Sequence, residues 1–366
     1  MSSAERWAEI RREFLERRHF PSLDGLRTIS IIPVVWHHST PHLYAGLLGR
    51  GPIGVDLFFA ISGFLITTLL VRERNQLGRI ALSAFYARRS LRIFPLYYLV
   101  FCLHWLFAVF VRPDWEPSRG FMQRWPYYVT YSANWMRAHT SAGPALFVFA
   151  WSLCTEEQFY AFWAPVLRWC RRVSTAALII GAWLTLDIVL ENGLGQGMIA
   201  NDGLIFTVVT SFASPIGFGA LFALAIHDDT IGPRLVRLVG GRHSATLVGL
   251  VVMSLIVAPW AQVPFLHFGL GLLVVCCSVR RDHGLSRLFD NAAARFIGRI
   301  SYGIYLWHVP VIGAIRTVAP ALREQAAVVF GLALPLSIAV AALSYRYIEQ
   351  PLLAHGAKFR KLRSGH

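Results

Sequence analysis

Long apolar runs recur along the whole chain, and they constrain its fold more than any other feature of the sequence. Roughly ten of them approach the ~20 residues that a helix needs to cross the hydrocarbon core of a bilayer. With 55% hydrophobic and 15% charged residues, the 366-residue chain is also too apolar for an ordinary soluble domain. The pattern therefore predicts an all-α, polytopic integral membrane protein with about ten transmembrane helices. The predicted spans lie near residues 28–45, 52–71, 93–111, 144–167, 174–190, 204–226, 244–260, 263–279, 296–315 and 325–345.

Basic residues predict the orientation of these helices, because Lys and Arg in short loops stay on the cytoplasmic side of a membrane. With the N-terminus placed inside, most of the 35 basic residues fall in cytoplasmic segments, and this alternation needs an even number of spans. Both termini are therefore expected in the cytoplasm. The net charge of +15 follows mostly from this topology, so the sequence predicts no nucleic-acid partner. Anionic membrane lipids and an anionic cytosolic ligand remain alternative partners for part of the basic surface.

The chain is predicted to form one membrane domain with short polar ends. Residues 1–26 are charged and lack the apolar core of a cleaved signal, which predicts a basic cytoplasmic segment. Within it, residues 4–18 are expected to form an amphipathic helix that lies on the membrane surface. Residues 27–350 would form the transmembrane domain, and residues 351–366 a short basic cytoplasmic tail.

Ionisable side chains occur inside the apolar runs, where each costs roughly 3 kcal/mol or more unless it is paired or hydrated. Counted along each helix at about 1.5 Å per residue, several of them reach similar depths in the membrane. The depths of His38, Ser62 and Glu156 overlap with that of His308, and Asp56 lies above them. A shared polar cavity is therefore expected, although depth alone does not show which side chains face each other. The ionisable residues in these runs are Asp56, Glu156, His38, His104 and His308.

His38 is the candidate general base, because an imidazole titrates near neutrality and can remove the proton of a hydroxyl group. Glu156 or Asp56 would orient its ring. A structural hydrogen-bonded role is the alternative for any single buried histidine, and His104 suits simple packing. No metal is expected, since the adjacent His37 diverges from His38 around the helix and no HExxH-type spacing occurs.

A cluster of arginines stands where the third predicted span begins. Arg88 and Arg92 are four residues apart and share a helix face, with Arg89 beside them. Arginine pairs of this kind bind phosphate groups through bidentate hydrogen bonds. Anchoring on the cytoplasmic side of the membrane explains the same cluster equally well, and the segment alone does not separate the two hypotheses.

Six strings, taken together and in order, resemble the acyltransferase family 3 membrane proteins. Each string is weakly specific by itself, but their order spans roughly residues 20–352. They are SLDGLR at 22–27 followed by His38, GVDLFFAISGFLI at 54–66, the arginine segment at 85–95, WSLCTEEQFY at 151–160, SYGIYLWH at 301–308 and IEQP at 348–351.

The resemblance implies a multi-pass O-acyltransferase of the bacterial inner (cytoplasmic) membrane. Such an enzyme moves an acyl group, most often acetyl, from cytoplasmic acyl-CoA to a hydroxyl of a surface glycan, lipopolysaccharide or antibiotic. The family's essential histidine corresponds to His38. The expected catalytic residues are His38, Glu156 and Asp56. The expected contacts to acyl-CoA or to the reacting thioester are Arg27, Arg88, Arg89, Arg92, Ser62, Tyr302 and His308.

Two other functions remain compatible with the residues themselves. A proton-coupled transporter or flippase would use the buried His and Glu side chains as a proton relay and the arginines to bind an anionic cargo. A lipid-binding membrane scaffold without catalytic activity is the third alternative. The sequence leaves open the acceptor, the acyl chain, a ternary-complex or acyl-enzyme mechanism, and the formation of a homodimer.

Overall fold

A computed structural model describes residues 2–40, 49–138, 144–170, 172–191, 204–258 and 263–354. Within these ranges the chain is helical and contains no β-strand. Two helices continue into π-helical turns, α4 at Phe107–Val111 and α15 at Tyr345–Glu349. The α-helices are α1 (Ser3–Glu16), α2 (Pro21–Ser39), α3 (Ile53–Leu77), α4 (Leu82–Leu106), α5 (Glu116–Val129), α6 (Trp151–Trp169), α7 (Val173–Glu191), α8 (Leu204–Val209), α9 (Ser214–His227), α10 (Ile231–Val239), α11 (Ser244–Val257), α12 (Val263–Val279), α13 (Ser286–Phe289), α14 (Ala292–Val318) and α15 (Ala326–Ser344).

Membrane-spanning character is confirmed for part of the predicted set. Among the described residues, four helices are long and apolar enough to cross a bilayer, and the pair α10 and α11, bent by 78°, would make a fifth. The prediction of an all-α membrane protein is therefore confirmed, whereas ten spans and two cytoplasmic termini stay predictions. The four helices are Ile53–Leu77, Leu82–Val111, Val173–Glu191 and Ala326–Ala354.

Three helices outside this set carry predicted site residues. Helix α2 contains Arg27 and His38, α6 contains Glu156, and α14 contains His308. Charged and polar side chains lower the hydropathy of a helix, and they are tolerated at membrane depth where they face a protein interior or a hydrated cavity. The polarity of α2, α6 and α14 is therefore consistent with helices that surround a site.

Helix α3 lies at the centre of the fold, in contact with α2, α6, α9 and α12. Its tightest packing is against α9, where two glycines allow the backbones to touch. A Cβ atom at Gly63 would overlap the carbonyl oxygen of Ile216, and one at Gly219 would overlap that of Ala60. Small residues permit such close approach between helices in membranes. The two glycines therefore allow α3 to pack tightly against α9.

Helices α2 and α14 run side by side in the same direction. The hydroxyl of Thr28 donates to the carbonyl oxygen of Ala294 near the start of both helices, over 2.6 Å. Ten residues further along α2, the ring of His38 meets the ring of His308. This parallel pairing brings the first and fifth of the family-like strings together.

The N-terminal segment differs from its prediction. Helix α1 forms, capped by Ser2, but the ring of Phe14 is fully buried against Phe20, Phe64 and His227. The apolar face of α1 therefore packs on the protein, so the expectation that it lies on the membrane is wrong for this face. Helix α2 begins at Pro21, before the predicted domain boundary at residue 27. Most of the predicted C-terminal tail lies outside the described residues.

Candidate active site

A partly open cavity of about 90 Å³ lies between α2, α3, α4, α6 and α14. Its wall combines guanidinium groups, hydroxyl groups and one carboxylate with aromatic rings. It is therefore a largely apolar chamber into which a few charged and hydroxyl groups are set. The lining residues are Arg27, Val55, Phe58, Phe59, Ser62, Arg89, Arg92, Ile93, Ser152, Leu153, Glu156, Ser301, Tyr302 and Tyr305.

Three guanidinium groups converge on this cavity. Arg27 pairs with Asp24 on its own helix over 3.1 Å, and Arg89 lies over the ring of Tyr160 at 4.0 Å. Arg92 also lines the cavity and interacts electrostatically with both of these arginines. Like charges brought together in this way repel one another unless nearby carboxylates or a bound anion offset them.

A short hydrogen bond joins α3 to α6 across the cavity. The hydroxyl of Ser62 donates to the carboxylate of Glu156 over 2.7 Å. Both residues were predicted to share a depth, and the structure also brings them face to face. This hydrogen bond leaves the Ser62 proton committed to Glu156.

Two tyrosines of α14 line the same wall, and their hydroxyl protons are also committed. Tyr302 donates to the carbonyl oxygen of Ile93 over 2.7 Å. Tyr305 donates to the carbonyl oxygen of Phe149 over 2.8 Å, so it accepts from the hydroxyl of Ser152 at 2.6 Å. The hydroxyls of Ser152, Tyr302 and Tyr305 therefore have no proton left for a ligand in this arrangement.

His38 and His308 form a direct imidazole pair. His38 Nδ1 lies 3.1 Å from His308 Nε2 and 3.0 Å from the carbonyl oxygen of Val34. His308 is fully buried, and its Nδ1 lies 2.6 Å from the carbonyl oxygen of Tyr305. The ring of His38 thus points into the protein, toward α14.

These contacts fix the tautomers of both rings when the two histidines are neutral. A carbonyl oxygen only accepts hydrogen bonds, so His308 must donate from Nδ1 and keep a lone pair on Nε2. His38 Nδ1 must then carry the proton that it shares between Val34 and His308. The remaining ring nitrogen, His38 Nε2, holds a lone pair, which is the state that a general base requires.

Tyr305 stands between the cavity and the histidine pair. Its side chain lines the cavity, while its carbonyl oxygen accepts from His308. Neither His38 nor His308 lines the cavity itself. The imidazole pair therefore lies just beyond the end of the chamber that Tyr305 and Ser152 close.

Asp56 lies on another side of α3 from the cavity. Six residues separate it from Ser62, which places the two side chains roughly 120° apart around the helix. Its carboxylate is 3.6 Å from Nε2 of His267, whose Nδ1 bonds to the hydroxyl of Ser214 at 2.6 Å. The prediction that Asp56 or Glu156 orients His38 finds no direct contact in the structure, since His308 occupies that place.

Arg88 is likewise directed away from the cavity. Its side chain is 44% exposed and forms an ion pair with Glu73 over 3.2 Å. The other carboxylate oxygen of Glu73 accepts from the backbone N–H of Ala81. Of the predicted cluster, Arg89 and Arg92 face the chamber together with Arg27, while Arg88 stabilises the connection between α3 and α4.

Sequence reasoning did not single out three residues of the chamber, Ser152, Ser301 and Tyr305. Helical spacing could have indicated them, because Ser152 lies one turn before Glu156, and Tyr305 one turn before His308. His104 donates from Nδ1 to the carbonyl oxygen of Val100 on its own helix and packs against Phe147, as expected of a packing residue. In the part of the chain that the structure describes, no group of three or more His, Cys, Asp or Glu side chains is placed to hold a metal ion.

Comparison with known proteins gives one family and a consistent group of relatives. The profile of a family described as "Acyltransferase domain" matches residues 20–346. Peptidoglycan O-acetyltransferase OatA of Listeria monocytogenes is 25% identical over 372 residues, which cover 93% of this chain and 57% of OatA. "Putative peptidoglycan O-acetyltransferase YrhL" of Bacillus subtilis is 27% identical, covering 93% of this chain and 56% of its own length. The chain thus spans less than two thirds of these relatives, and no solved structure matches it.

Proposed function

The chain belongs to the family of this acyltransferase domain, and on that premise we propose that it is an O-acetyltransferase that uses acyl-CoA as donor and a glycan hydroxyl as acceptor. The enzyme class follows from the family, and the helices and relatives indicate a bacterial membrane protein. The donor, the base and the acceptor are parts of the proposal. The main support for the proposal is one observation: a chamber lined by three arginines ends beside a histidine whose tautomer is fixed.

The arginines support an anionic donor. Coenzyme A carries phosphate groups, and guanidinium groups bind phosphates with bidentate hydrogen bonds. Arg27, Arg89 and Arg92 present their charges to one chamber, where the low dielectric constant strengthens attraction to an anion. We assign the phosphates to this arginine end and the acyl-bearing arm to the end closed by Tyr305.

His38 is assigned as the general base of the transfer. Its Nε2 takes the proton of the acceptor hydroxyl while the hydroxyl oxygen attacks the thioester carbonyl carbon. The tetrahedral intermediate then collapses, the carbon–sulfur bond breaks, and the proton passes from His38 to the departing CoA thiolate. No proton is gained or lost overall. Movement of the Tyr305 side chain opens the short path between the chamber and His38.

Stabilisation of the oxyanion is reassigned within the chamber. Ser62 and Tyr302 were expected to contact acyl-CoA or the reacting thioester, but both hydroxyls already donate their protons to protein oxygens. Ser301 also lines the chamber, and its hydroxyl makes no hydrogen bond to any residue that the structure describes. Ser301 is therefore the hydroxyl best placed to donate to a developing oxyanion.

The names of the relatives indicate the chemical class of the acceptor. OatA is named for peptidoglycan, so a hydroxyl of a peptidoglycan sugar is the first acceptor to test. The relatives are considerably longer than this chain, and their additional length leaves the identity of the final acceptor to experiment.

The proposal is tested by incubating the purified protein with radiolabelled acetyl-CoA and peptidoglycan fragments, measuring both released CoA thiol and label on the glycan. We expect His38→Ala to lower turnover by about 10²-fold or more, which is the usual contribution of a general base. His243→Ala is the matched control, because His243 is exposed at the start of α11 and should leave turnover unchanged. Label that crosses a membrane without thioester cleavage would instead identify a transporter.

A further inference from the structure

Glu349 is a buried acidic side chain that the proposed transfer does not use. It ends the π-helical turn that continues α15, and such turns occur often at functional sites. The residue is 5% exposed, and its Oε1 atom has no hydrogen-bond partner within the described residues. A carboxylate buried in this way is costly unless another charge compensates it.

The carboxylate of Glu349 lies directly behind the wall of the arginine chamber. A Cβ atom added at Gly303 of α14 would be 3.5 Å from Glu349 Oε1, so the carboxylate faces the backbone of α14 at this glycine. The next residue toward the N-terminus, Tyr302, lines the chamber. The π-helical turn also packs against α4, which carries Arg89 and Arg92. Glu349 therefore lies close to the two helices, α4 and α14, that carry lining residues of the chamber.

Arg92 is the basic group to which Glu349 is electrostatically coupled, over a separation too long for a direct ion pair. Electrostatic repulsion from Arg27 and Arg89 acts on Arg92, and attraction from Glu349 opposes it. Seen from Glu349, Arg92 is the charged neighbour that interacts with it. Arg27 and Arg89 have other partners, since Arg27 pairs with Asp24 and Arg89 interacts with Glu156 and Glu157. Arg92 thus depends on Glu349 for its compensation.

We propose that Glu349 is the resident counter-ion of Arg92, acting through Arg92 to limit how tightly the chamber holds the phosphate groups of coenzyme A. The inference rests on the proposed role of Arg92 as a donor contact. Without a donor, Glu349 offsets the charge of Arg92, while the charges of Arg27 and Arg89 are offset by their own acidic neighbours. With CoA bound, the phosphates compete with Glu349 for Arg92, which weakens binding enough for the CoA product to leave.

The counter-ion role predicts that removal of the Glu349 charge increases the affinity for CoA, whereas structural damage would decrease it. Replacement of Glu349 by the neutral, nearly isosteric glutamine removes an attraction that competes with the phosphates. CoA should then bind about tenfold more tightly, which is the order expected for one unit charge near a partly buried site. A damaged chamber would bind CoA more weakly. Slower release of CoA should also lower turnover under saturating donor while the KM for acyl-CoA falls.

The experiment measures the affinity of the full-length protein in detergent micelles for free coenzyme A by titration calorimetry. Glu349→Gln is expected to tighten binding about tenfold, and Glu349→Asp, which retracts the charge by one methylene, about threefold. Glu324→Gln is the control, because Glu324 is exposed and should leave the affinity unchanged. The aspartate variant keeps the charge and preserves the test if the glutamine variant does not fold.

Two further variants separate this inference from the function on which it rests. Arg92→Ala should weaken CoA binding, and adding Glu349→Gln to it should change the affinity by less than about twofold, because coupled residues are not additive. If Arg92→Ala leaves the affinity unchanged, the donor site itself is wrong. If Arg92→Ala weakens binding but Glu349→Gln leaves it unchanged or weaker, the donor site stands and the counter-ion role is overturned.

Discussion

At the scale of single residues, His308 helps to fix the proton of a neutral His38 ring on Nδ1, one of the two ring nitrogens that could carry it. The carbonyl oxygen of Tyr305 holds the proton of His308 on Nδ1, and His308 Nε2 then accepts from His38. A backbone carbonyl and a second imidazole thus do the orienting that a carboxylate does in many active sites. The lone pair of His38 is left on Nε2.

The role of His308 is tested by replacing it with alanine and with glutamine. In His308→Ala the carbonyl oxygen of Val34 is the remaining acceptor for the His38 Nδ1 proton, so the ring and its tautomer are held less firmly and kcat should fall by about 10-fold to 10²-fold. The affinity for CoA should stay within about twofold of the wild type, because the histidine pair is not placed at the phosphate end. Glutamine offers an amide oxygen and should restore part of the rate. A loss of CoA affinity equal to the loss of rate would contradict this role.

Replacement of Arg92 and replacement of Arg88 should have very different effects on the affinity for CoA. Arg92→Ala is expected to weaken CoA binding by about 10- to 100-fold, the range for a hydrogen bond to a charged group in a desolvated site. Arg88→Ala removes a half-exposed ion pair with Glu73 and should change the affinity by less than about threefold. Calorimetry on both variants decides the matter, and equal effects would show that the phosphates contact the surface rather than the chamber.

At the scale of helices, the sequence contains the depth of each site residue but not the direction in which each helix faces. Ser62 and Glu156 were expected at one level, and they meet there. Arg92 lies roughly 40° from Arg88 and 60° from Arg89 around α4, so the sequence does not decide which neighbour joins it in the chamber. The packing of α4 against its neighbours decides which arginine faces the chamber. Helix packing likewise directs Asp56 toward His267 rather than toward His38.

Arginines that the sequence predicts to lie on the cytoplasmic side also cap helix ends in the structure. Arg72 donates to the carbonyl oxygens of Phe14 and Arg17, and Arg17 donates to that of Ser278 over 2.7 Å. Arg74 donates to the carbonyl oxygen of Cys170 over 2.8 Å, at the end of α6. The last carbonyls of a helix lack partners within it, so these contacts stabilise both the helix and its junction.

Removal of one such cap should destabilise the fold without altering the site. Arg74→Ala leaves carbonyl oxygens at the end of α6 unpaired and should cost about 1–3 kcal/mol, which lowers the midpoint of thermal unfolding. Arg12→Ala is the control, because Arg12 is exposed and makes only a weak surface pair with Glu9. Thermal scans in detergent compare the two variants. An unchanged midpoint for Arg74→Ala would mean that the residue serves only the orientation of the helices.

At the scale of the whole molecule, the arginine chamber and the imidazole pair lie at different heights along α2 and α14, which underlies our proposal that donor and acceptor approach from opposite sides. The arginine chamber begins beside the basic, predicted cytoplasmic ends of α2 and α4, whereas the imidazole pair lies further along α2 and α14. Composition and charge were enough to predict an all-α membrane protein, because hydropathy acts on the whole chain. The number of ten spans stays a prediction, since four or five helices among the described residues are long and apolar enough to cross a bilayer.

The most direct test of the account is vectorial transfer in sealed proteoliposomes. Acetyl-CoA is supplied on one side only, peptidoglycan fragments on one side only, and all four combinations are compared by counting label on the glycan. The account predicts transfer when donor and acceptor are on opposite sides, together with release of CoA on the donor side, and loss of both in His38→Ala. Transfer that requires donor and acceptor on the same side would contradict it.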